Sequence, residues 1–541
     1  MFFNSWEFLA LLLIVTPLYY CPGLGRRKRV WQVNLLLVAS AVFYAWDNPK
    51  LLILLSASCV MNAIAVERIL FWKNRMMLDG ECLILNEKSG SPSEAQNPVF
   101  KIQNLKSRRW LTWTVALNLA FLAFFKYAGF LAAQAPTGWL PAGTIHWLSD
   151  IPLPVGISFY TFQGISLVVD VWRDDISDHT RAQLSERGRN RISSIRDTSF
   201  YISFFPQLVA GPIVKAHEFV DQIGAKAFRE IDWLTVRRGL FLGYFLKVFV
   251  ADNLAEQTGT LTMGAEHLAT SGPLNLLPLL YGYSLQIFAD FAGYSLIAIG
   301  LGALFGYKLP PNFNFPYLST SITEFWRRWH LSLSTWLRDY LYFPLGGNRK
   351  GPGRTYFNLF LVMFLGGLWH GAAWKFALWG SLHGIFLAVE RLGKSQCSIL
   401  NFKFWMKEPA GSAPANPSSS TFSIQNPTFK IAVTAVKWLI TFHLVTALWL
   451  TFMMPDLASI KAFFIGITNG NLGFSGPPIF SLVFYGSAIV LYHAWGWLRE
   501  HRGMFALRLL RSPLEPLVHA VMLFLILTNP GAPRGFIYFQ F

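Results

Sequence analysis

The sequence predicts an all-α integral membrane protein that crosses the bilayer many times. Of its 541 residues, 53% are hydrophobic and only 14% are charged, whereas about a quarter of the residues in an ordinary soluble domain are charged. Several windows of about 20 residues contain almost no charge, and each is long enough to cross the hydrocarbon layer as a helix. We count about twelve such windows, and interrupted apolar segments between them predict additional re-entrant or interfacial helices.

The predicted spans follow one another along the whole chain, which we expect to form a single transmembrane domain over residues 1–541. They lie near residues 6–20, 31–47, 51–71, 110–133, 152–172, 238–256, 274–304, 355–371, 374–392, 430–453, 475–497 and 513–529. Basic residues follow the first span and do not precede it, so this span is retained and is not a secretory signal. The apolar segment 200–214 contains Pro206 and Gly211, which predicts a broken hairpin enclosed by protein.

Basic loops set the predicted orientation, because lysine and arginine collect on the cytoplasmic side. If the loop Arg26–Arg29 is cytoplasmic, alternation also places there two polar insertions, 72–109 and 173–197, and a flexible linker, 393–430. Both chain termini are then outside. These loops account for the formal net charge of +17, and we expect no nucleic-acid partner.

The four cysteines lie far apart, and none has a metal-ligand spacing with a histidine. We therefore expect no disulfide framework, no metal site and no tightly bound cofactor. The two halves of the chain show no internal repeat, which weakens the interpretation as a secondary transporter.

The densest polar segment is Ser321–Tyr340, where Trp326, His330 and Leu337 recur at helical spacing. This spacing predicts an amphipathic helix at the membrane boundary. Its basic residues have two interpretations: they anchor the helix to lipid phosphates, or they bind the phosphates of a donor such as coenzyme A. The arginines concerned are Arg327, Arg328, Arg338 and Arg349.

A single histidine, His370, lies in the apolar run 365–374. An ionisable group in a span is costly unless it faces a polar interior, so it is a functional candidate. The neighbouring Gly367 and Gly371 allow close approach of another backbone or of a substrate. We predict that His370 is a general base, because a neutral imidazole takes a proton from an alcohol as that alcohol attacks an activated acyl group. His383, by contrast, is expected to be a packing residue.

Six segments, in order, resemble the membrane-bound O-acyltransferase family and, within it, the alginate O-acetyltransferase branch. They are Leu153–Gln163, Phe204–Pro212, Gln286–Ser295, Pro311–Tyr317, Glu324–Arg349 and Gly366–Gly371. The resemblance implies the helical membrane fold of that family, with His370 as the catalytic histidine and His330 orienting or polarising the reacting groups. It also implies that acetyl-CoA, or a related thioester, is the cytoplasmic acyl donor and that the acceptor reacts outside.

The expected function is transfer of acetyl groups from acetyl-CoA across a bacterial inner membrane, for O-acetylation of an exported polysaccharide such as alginate. The expected partners are membrane lipid and a periplasmic protein that completes the transfer, either an SGNH-like acetyltransferase or another polysaccharide-modifying protein. The enzymatic alternatives are O-acetylation of peptidoglycan or cellulose and D-alanylation of teichoic acid. The alternative from another class is a transporter of an acetylated carrier.

The chain ends with an aromatic segment, Gly535–Phe541. Aromatic residues often anchor a helix at the membrane interface. The ending is also similar to the terminal tyrosine signature of the partner peptide in related D-alanylation systems. That similarity implies that the phenol of Tyr538 accepts the acetyl group near His370, and a phenol is far easier to deprotonate than an aliphatic alcohol.

Overall fold

The computed structural model describes residues 1–86, 98–177, 191–209, 211–405, 427–473, 479–504 and 514–536. The regular structure in these ranges is helical. In the first half the helices are α1 (Trp6–Tyr19), α2 (Lys28–Ala45), α3 (Leu51–Asn86), α4 (Pro98–Ala133), α5 (Ala142–Ser149), α6 (Ile157–Arg173), α7 (Arg191–Ser203), α8 (Phe205–Leu208), α9 (Ala216–Phe219), α10 (Trp233–Tyr244), α11 (Asp252–Thr258) and α12 (Ala265–Thr270). In the second half they are α13 (Pro273–Leu304), α14 (Ile322–Trp326), α15 (Leu331–Leu337), α16 (Gly351–His370), α17 (Trp374–Trp405), α18 (Pro427–Met453), α19 (Leu457–Thr468), α20 (Ile479–His501) and α21 (Leu514–Thr528).

Five helices in the described ranges are long and apolar enough to cross a membrane. They include most or all of α3, α4, α13, α18 and α20. The predicted all-α membrane fold is therefore confirmed, while the number of about twelve spans stays a prediction. In α13, 89% of the most apolar window is buried inside the protein, against 17% in α4, so α13 is the central helix and α4 lies at the periphery.

Glycines bring α13 and α10 into direct backbone contact. A β-carbon on Gly239 would lie 2.9 Å from the Cα of Gly300, and one on Gly243 would lie 2.9 Å from the carbonyl oxygen of Gly293. Side chains at these positions would force the helices apart. Small residues at matching positions are the usual device for close helix packing in membranes.

A second close pair, α16 and α17, carries His370 at its turn. A β-carbon on Gly367 would lie 2.3 Å from the carbonyl oxygen of Phe376, and one on Gly371 would lie 2.1 Å from the ring of the same residue. These glycines therefore admit the backbone and ring of the neighbouring helix. The group that comes close to the glycines around His370 is therefore Phe376 of α17, through its backbone and its ring.

Several segments differ from the expected boundaries. The insertion 72–109 is largely helical, because α3 continues to Asn86 and α4 begins at Pro98. Helix α19 was not predicted, since its 12 residues are fewer than a span requires. The segment 200–214 is a broken helix whose residues 200–209 are buried. Parts of the predicted insertions and linker, residues 87–97, 178–190 and 406–426, lie outside the described residues.

The prediction of one continuous amphipathic helix over Ser321–Tyr340 is wrong. The chain forms α14, breaks, forms α15 and then a π-helical turn over Arg338–Tyr342. The break arises because a distant segment competes for the backbone: Asn314 N donates to Arg328 O at 2.9 Å, and Leu331 N donates to Asn312 O at 2.9 Å. Hydrogen-bond partners this remote in sequence leave no trace in local periodicity.

Candidate active site

His330 lies at the break between α14 and α15, with its side chain fully buried. Its φ is +45°, a left-handed conformation that residues other than glycine rarely adopt. Such conformations persist where the surroundings enforce them, and they cluster at functional sites. Here the two backbone hydrogen bonds to the segment 312–314 hold the conformation.

Asn312 determines the tautomer of His330. The Asn312 Oδ1 atom accepts from the backbone N of Ser332 at 3.3 Å and from its hydroxyl at 2.9 Å, while Nδ2 donates to Ser295 at 3.0 Å. Because Oδ1 is fixed as an acceptor, Nδ1 of His330, 3.0 Å away, must be the donor. In neutral His330 the lone pair is then on Nε2, which suits orientation of a hydroxyl group better than polarisation of a carbonyl.

His370 is the last residue of α16 and lies beside His330. The two ring centroids are 6.4 Å apart, and His370 is 4% exposed. Aromatic rings surround it, with Trp369 and Trp379 each at 5.1 Å and Phe452 at 5.3 Å. The structure therefore brings together the two histidines predicted as catalytic, in a pocket with mainly apolar walls.

A cavity of about 110 Å³ reaches His370 from the N-terminal end of α6. We call it the His370 cavity. Its polar lining includes Lys126 and Ser158, and its apolar lining includes Val155, Phe159 and Trp369. A space of this size holds a small group such as acetyl or a few water molecules, each of which takes about 30 Å³.

The third histidine, His383, packs as expected. It is fully buried and its Nδ1 accepts from the indole of Trp326 at 3.3 Å. The rings of Trp326 and Trp379 lie within about 5 Å of it. His383 thus supports the wall that also contacts His370.

Three cations gather at the far end of α6 and α15, in what we call the basic end: Arg173, Lys215 and Arg338. Lys215 and Arg338 each lie 2.7 Å from a carboxylate oxygen of Asp339, and Arg173 donates to its carbonyl oxygen at 3.3 Å. Burial alone would raise the pKa of Asp339, but the hydrogen bonds from Arg338 and Lys215 lower it below the usual value. Lys215 also lies 3.8 Å from a carboxylate oxygen of Glu218, so these three cations face two carboxylates and retain one unbalanced positive charge.

The four arginines predicted to bind donor phosphates fall into two groups. Arg328 is held by two carboxylates, Glu324 at 2.9 Å and Glu500 at 2.6 Å, so its charge is already neutralised. Arg327, Arg338 and Arg349 are exposed. Only Arg338 of the four belongs to the basic end.

A column of aromatic rings connects the basic end with the histidine pair. Trp369 stacks on Phe162 at 5.4 Å, Phe162 stacks on Trp336 at 3.7 Å, and Trp336 contacts Tyr340 at 5.2 Å. The indole of Trp336 also donates to the carbonyl oxygen of Phe162 at 3.0 Å. The column fixes α15 against α6 and so fixes the spacing between the two ends.

The segment after α21, residues 529–536, lies against the protein as an extended strap. Gly531 N donates to Val248 O at 3.2 Å, an acceptor within the π-helical turn Phe245–Ala251, and Asn253 donates to Asn529 O at 3.1 Å. Phe536 at its end is fully buried. The strap therefore enters the interior of the protein.

Phe536 ends close to the histidine pair. Its ring centroid lies 4.5 Å from that of Tyr294 and 5.5 Å from that of Phe291, and the ring centroids of Phe291 and His330 are 4.5 Å apart. One ring thus separates the strap from His330. Tyr538, the predicted acyl relay, lies outside the described residues.

Sequence reasoning missed Lys126, Asn312, Arg173 and Lys215. A signal for Lys126 was available, because a lysine in a predicted span is as costly as a histidine there. Asn312 is in a quoted motif, but its role depends on a hydrogen bond across 18 residues. Arg173 and Lys215 reach the basic end only through the fold.

Comparisons with known proteins show which family the sequence matches. The profile of the membrane-bound O-acyltransferase family matches residues 102–416. The probable alginate O-acetylase AlgI of Pseudomonas putida is 37% identical over 465 residues, covering 84% of this chain and 78% of that protein. The peptidoglycan O-acetyltransferase of Helicobacter pylori is 32% identical, covering 82% and 74%. The teichoic acid D-alanyltransferase of Bacillus subtilis is 31% identical over 43% of this chain and 58% of that protein.

Proposed function

The chain belongs to the membrane-bound O-acyltransferase family, and we propose that it transfers acetyl groups from acetyl-CoA across a bacterial inner membrane for O-acetylation of an exported, alginate-like polysaccharide. The observation that carries the proposal is the buried pair of His330 and His370, with ring centroids 6.4 Å apart. The pair lies between the basic end and the His370 cavity, and we propose that the donor comes from the first side and the acceptor from the second.

In the proposed reaction His370 acts as the general base. Its neutral imidazole takes the proton of an acceptor hydroxyl while the acceptor oxygen attacks the thioester carbonyl carbon. The new C–O bond forms, the C–S bond breaks, and the thiolate of CoA leaves with the proton that His370 returns. His330, held by Asn312, orients the reactants: because the attacking hydroxyl gives its one proton to His370, the Nε2 atom of His330 accepts from another N–H or O–H group of a bound reactant.

The basic end is the proposed binding site for the phosphates of acetyl-CoA. Guanidinium and ammonium groups bind phosphate oxygens well, and the three cations of this cluster exceed the two carboxylates, Asp339 and Glu218, that pair with them. Arg338 follows His330 by eight residues, about 12 Å at 1.5 Å per helical residue. A donor bound there by its phosphates has its thioester arm directed along α15 toward the histidines.

Tyr538 is the proposed intermediate acceptor. The buried position of Phe536, one ring away from His330, supports this role because only one residue separates it from Tyr538. The acetylated phenol would present the group to a periplasmic SGNH-like partner. If polysaccharide O-acetylation in cells stays at the wild-type level in Tyr538→Phe, the relay is wrong.

The identity of the acceptor polysaccharide is proposed from the acceptors that the names of the relatives give. Five alginate O-acetylases align with this chain at 35–38% identity, and the peptidoglycan enzyme aligns at 32%, so peptidoglycan is the second proposed acceptor. With the basic end on the cytoplasmic side, the His370 cavity and both termini lie outside.

The alternative from another class, a transporter of an acetylated carrier, would not cleave the thioester.

The test is release of free CoA from labelled acetyl-CoA by the purified protein. Wild-type protein should release CoA, and His370→Ala should abolish the release because the base is lost. The matched control is His383→Ala, which removes another fully buried histidine outside the proposed chemistry. No release by the wild type, or release that survives in His370→Ala, would refute the proposed reaction.

A further inference from the structure

The C-terminal end of α16 is bound by two adjacent residues of α4. The hydroxyl of Tyr127 donates to Leu368 O at 2.7 Å. The ammonium group of Lys126 donates to Trp369 O and, at 3.2 Å, to His370 O. Three successive carbonyl oxygens, the last belonging to His370, therefore accept hydrogen bonds from one neighbouring helix.

These bonds replace an ordinary helix cap. The last four carbonyl groups of a helix have no partner within it, and most helices that end at glycine use a left-handed residue to bind some of them. Gly371 is instead extended, with φ −165°, so that the chain turns at once into α17. At membrane depth an unbonded carbonyl costs several kcal/mol, which makes the bonds from α4 important for this helix end.

Lys126 also faces the His370 cavity. Its third contact is Ser158 Oγ at 3.3 Å, and Ser158 lines the same cavity. Lys126 lines the His370 cavity together with His370, so its position is coupled to that of the histidine.

We propose that Lys126, supported by Tyr127, is a positioning residue for acyl transfer: it fixes the carbonyl end of α16 and thereby the imidazole of His370 at the wall of the His370 cavity. The inference rests on the proposed function for its effect on catalysis. It assigns Lys126 no contact with the reacting atoms. Misplacement of a catalytic group by about 1 Å can cost about 100-fold in rate, so a loosened helix end should reduce turnover more than it reduces donor binding.

The variants are Lys126→Met, Lys126→Arg and Tyr127→Phe, purified in the full chain. The matched control is Lys375→Met, which removes another buried lysine; it donates to a backbone carbonyl outside α16, Met454 O at 2.9 Å. Two measurements are made on each variant: kcat and KM for acetyl-CoA in CoA release, and amide hydrogen exchange of the peptide that contains residues 366–371.

We expect Lys126→Met to lower kcat about 10-fold or more with KM unchanged, and Lys126→Arg to recover part of the loss, because arginine keeps N–H donors for the carbonyl oxygens. Exchange near His370 should accelerate in Lys126→Met and in Tyr127→Phe. Lys375→Met should lose thermal stability without either effect.

Kinetics and hydrogen exchange together distinguish failure of the positioning role of Lys126 from failure of the proposed acetyl-transfer function. Hydrogen exchange needs no acyl donor, so faster exchange in Lys126→Met supports the role of Lys126 in fixing the end of α16 even if acetyl-CoA is not the donor. Unchanged exchange in Lys126→Met, or a loss of kcat in Lys375→Met as large as that in Lys126→Met, overturns the inference. A higher KM with unchanged kcat in Lys126→Met also overturns it.

Discussion

At the scale of single residues, the chemistry of His330 depends on Asn312. Its Oδ1 atom is committed as an acceptor by the backbone of Ser332, and this commitment places the proton of neutral His330 on Nδ1. The nitrogen on the other side of the ring is then an acceptor. A side chain with no part in the chemistry thus decides what the histidine can do.

Asn312→Ala should lower kcat for CoA release by about 10- to 100-fold, the usual cost of removing a group that orients a functional histidine. The reason is that both the tautomer and the ring orientation of His330 lose their constraint. The control is Asn314→Ala, which alters the same segment; among the described residues the Asn314 side chain accepts one long hydrogen bond, from Arg499 at 3.4 Å. Equal kcat in the two variants would contradict the role of Asn312.

The arginines separate into structural and donor-binding groups. Arg328→Gln should lower the thermal stability of the solubilised protein, because Glu324 and Glu500 lose the cation that they share. Arg338→Gln should raise KM for acetyl-CoA, because its side chain is 54% exposed at the basic end. A raised KM in Arg328→Gln with unchanged melting temperature would reverse this assignment.

A site residue could be predicted from sequence where it places an ionisable side chain in an apolar segment, because burying such a group costs free energy. His370 stands out because an imidazole in an apolar run needs a reason, and Lys126 satisfies the same criterion although it was not singled out. The left-handed backbone at His330 could not be predicted. It arises from hydrogen bonds to residues 312–314, while the local spacing of the segment still fits a helix.

At the scale of elements, the turn between α16 and α17 positions His370. The helices approach closely at Gly367 and Gly380, since a β-carbon on either would lie 2.3 Å from a carbonyl oxygen of the opposite helix. The chain reverses within three residues, from His370 to Trp374. The sequence predicted both helices, and the glycines suggested a close approach, but the identity of the approaching group required the fold.

Gly367→Ala should destabilise the protein by about 1–3 kcal/mol, the usual cost of overpacking. The added methyl group forces α16 and α17 apart, and the melting temperature of the solubilised protein should fall by several degrees. Gly353→Ala on the same helix is the control, because a β-carbon there meets no atom within 4 Å. A wild-type melting temperature in Gly367→Ala would disprove close packing at this point.

The strap is the element that connects the C-terminal end of the chain with the active site. A β-carbon on Gly531 would lie 2.5 Å from the backbone N of Asn253, so Gly531→Ala should displace the strap and Phe536. We expect reduced polysaccharide O-acetylation in cells at unchanged protein level. Ala532→Ser changes the adjacent exposed position and should have no effect; matching O-acetylation in both variants would show that the position of the strap does not matter.

At the scale of the whole molecule, the two ends of the site are separated by the length of α6. Its 17 residues span about 25 Å, with the His370 cavity at the N-terminal end and the basic end at the C-terminal end. Composition and charge-free windows predicted a membrane protein of this class. The relative position of the two ends depends on α15 and the aromatic column, whose arrangement follows from contacts between distant segments.

The central claim is that the acetyl group enters at the basic end and reacts at the histidine pair. Proteoliposomes that contain the protein in one determined orientation test it most directly, with labelled acetyl-CoA supplied to one face at a time and free CoA measured. We predict CoA release only when acetyl-CoA reaches the face of Arg338, and none from either face in His370→Ala. Equal release from the opposite face, or undiminished release in His370→Ala, would contradict the account.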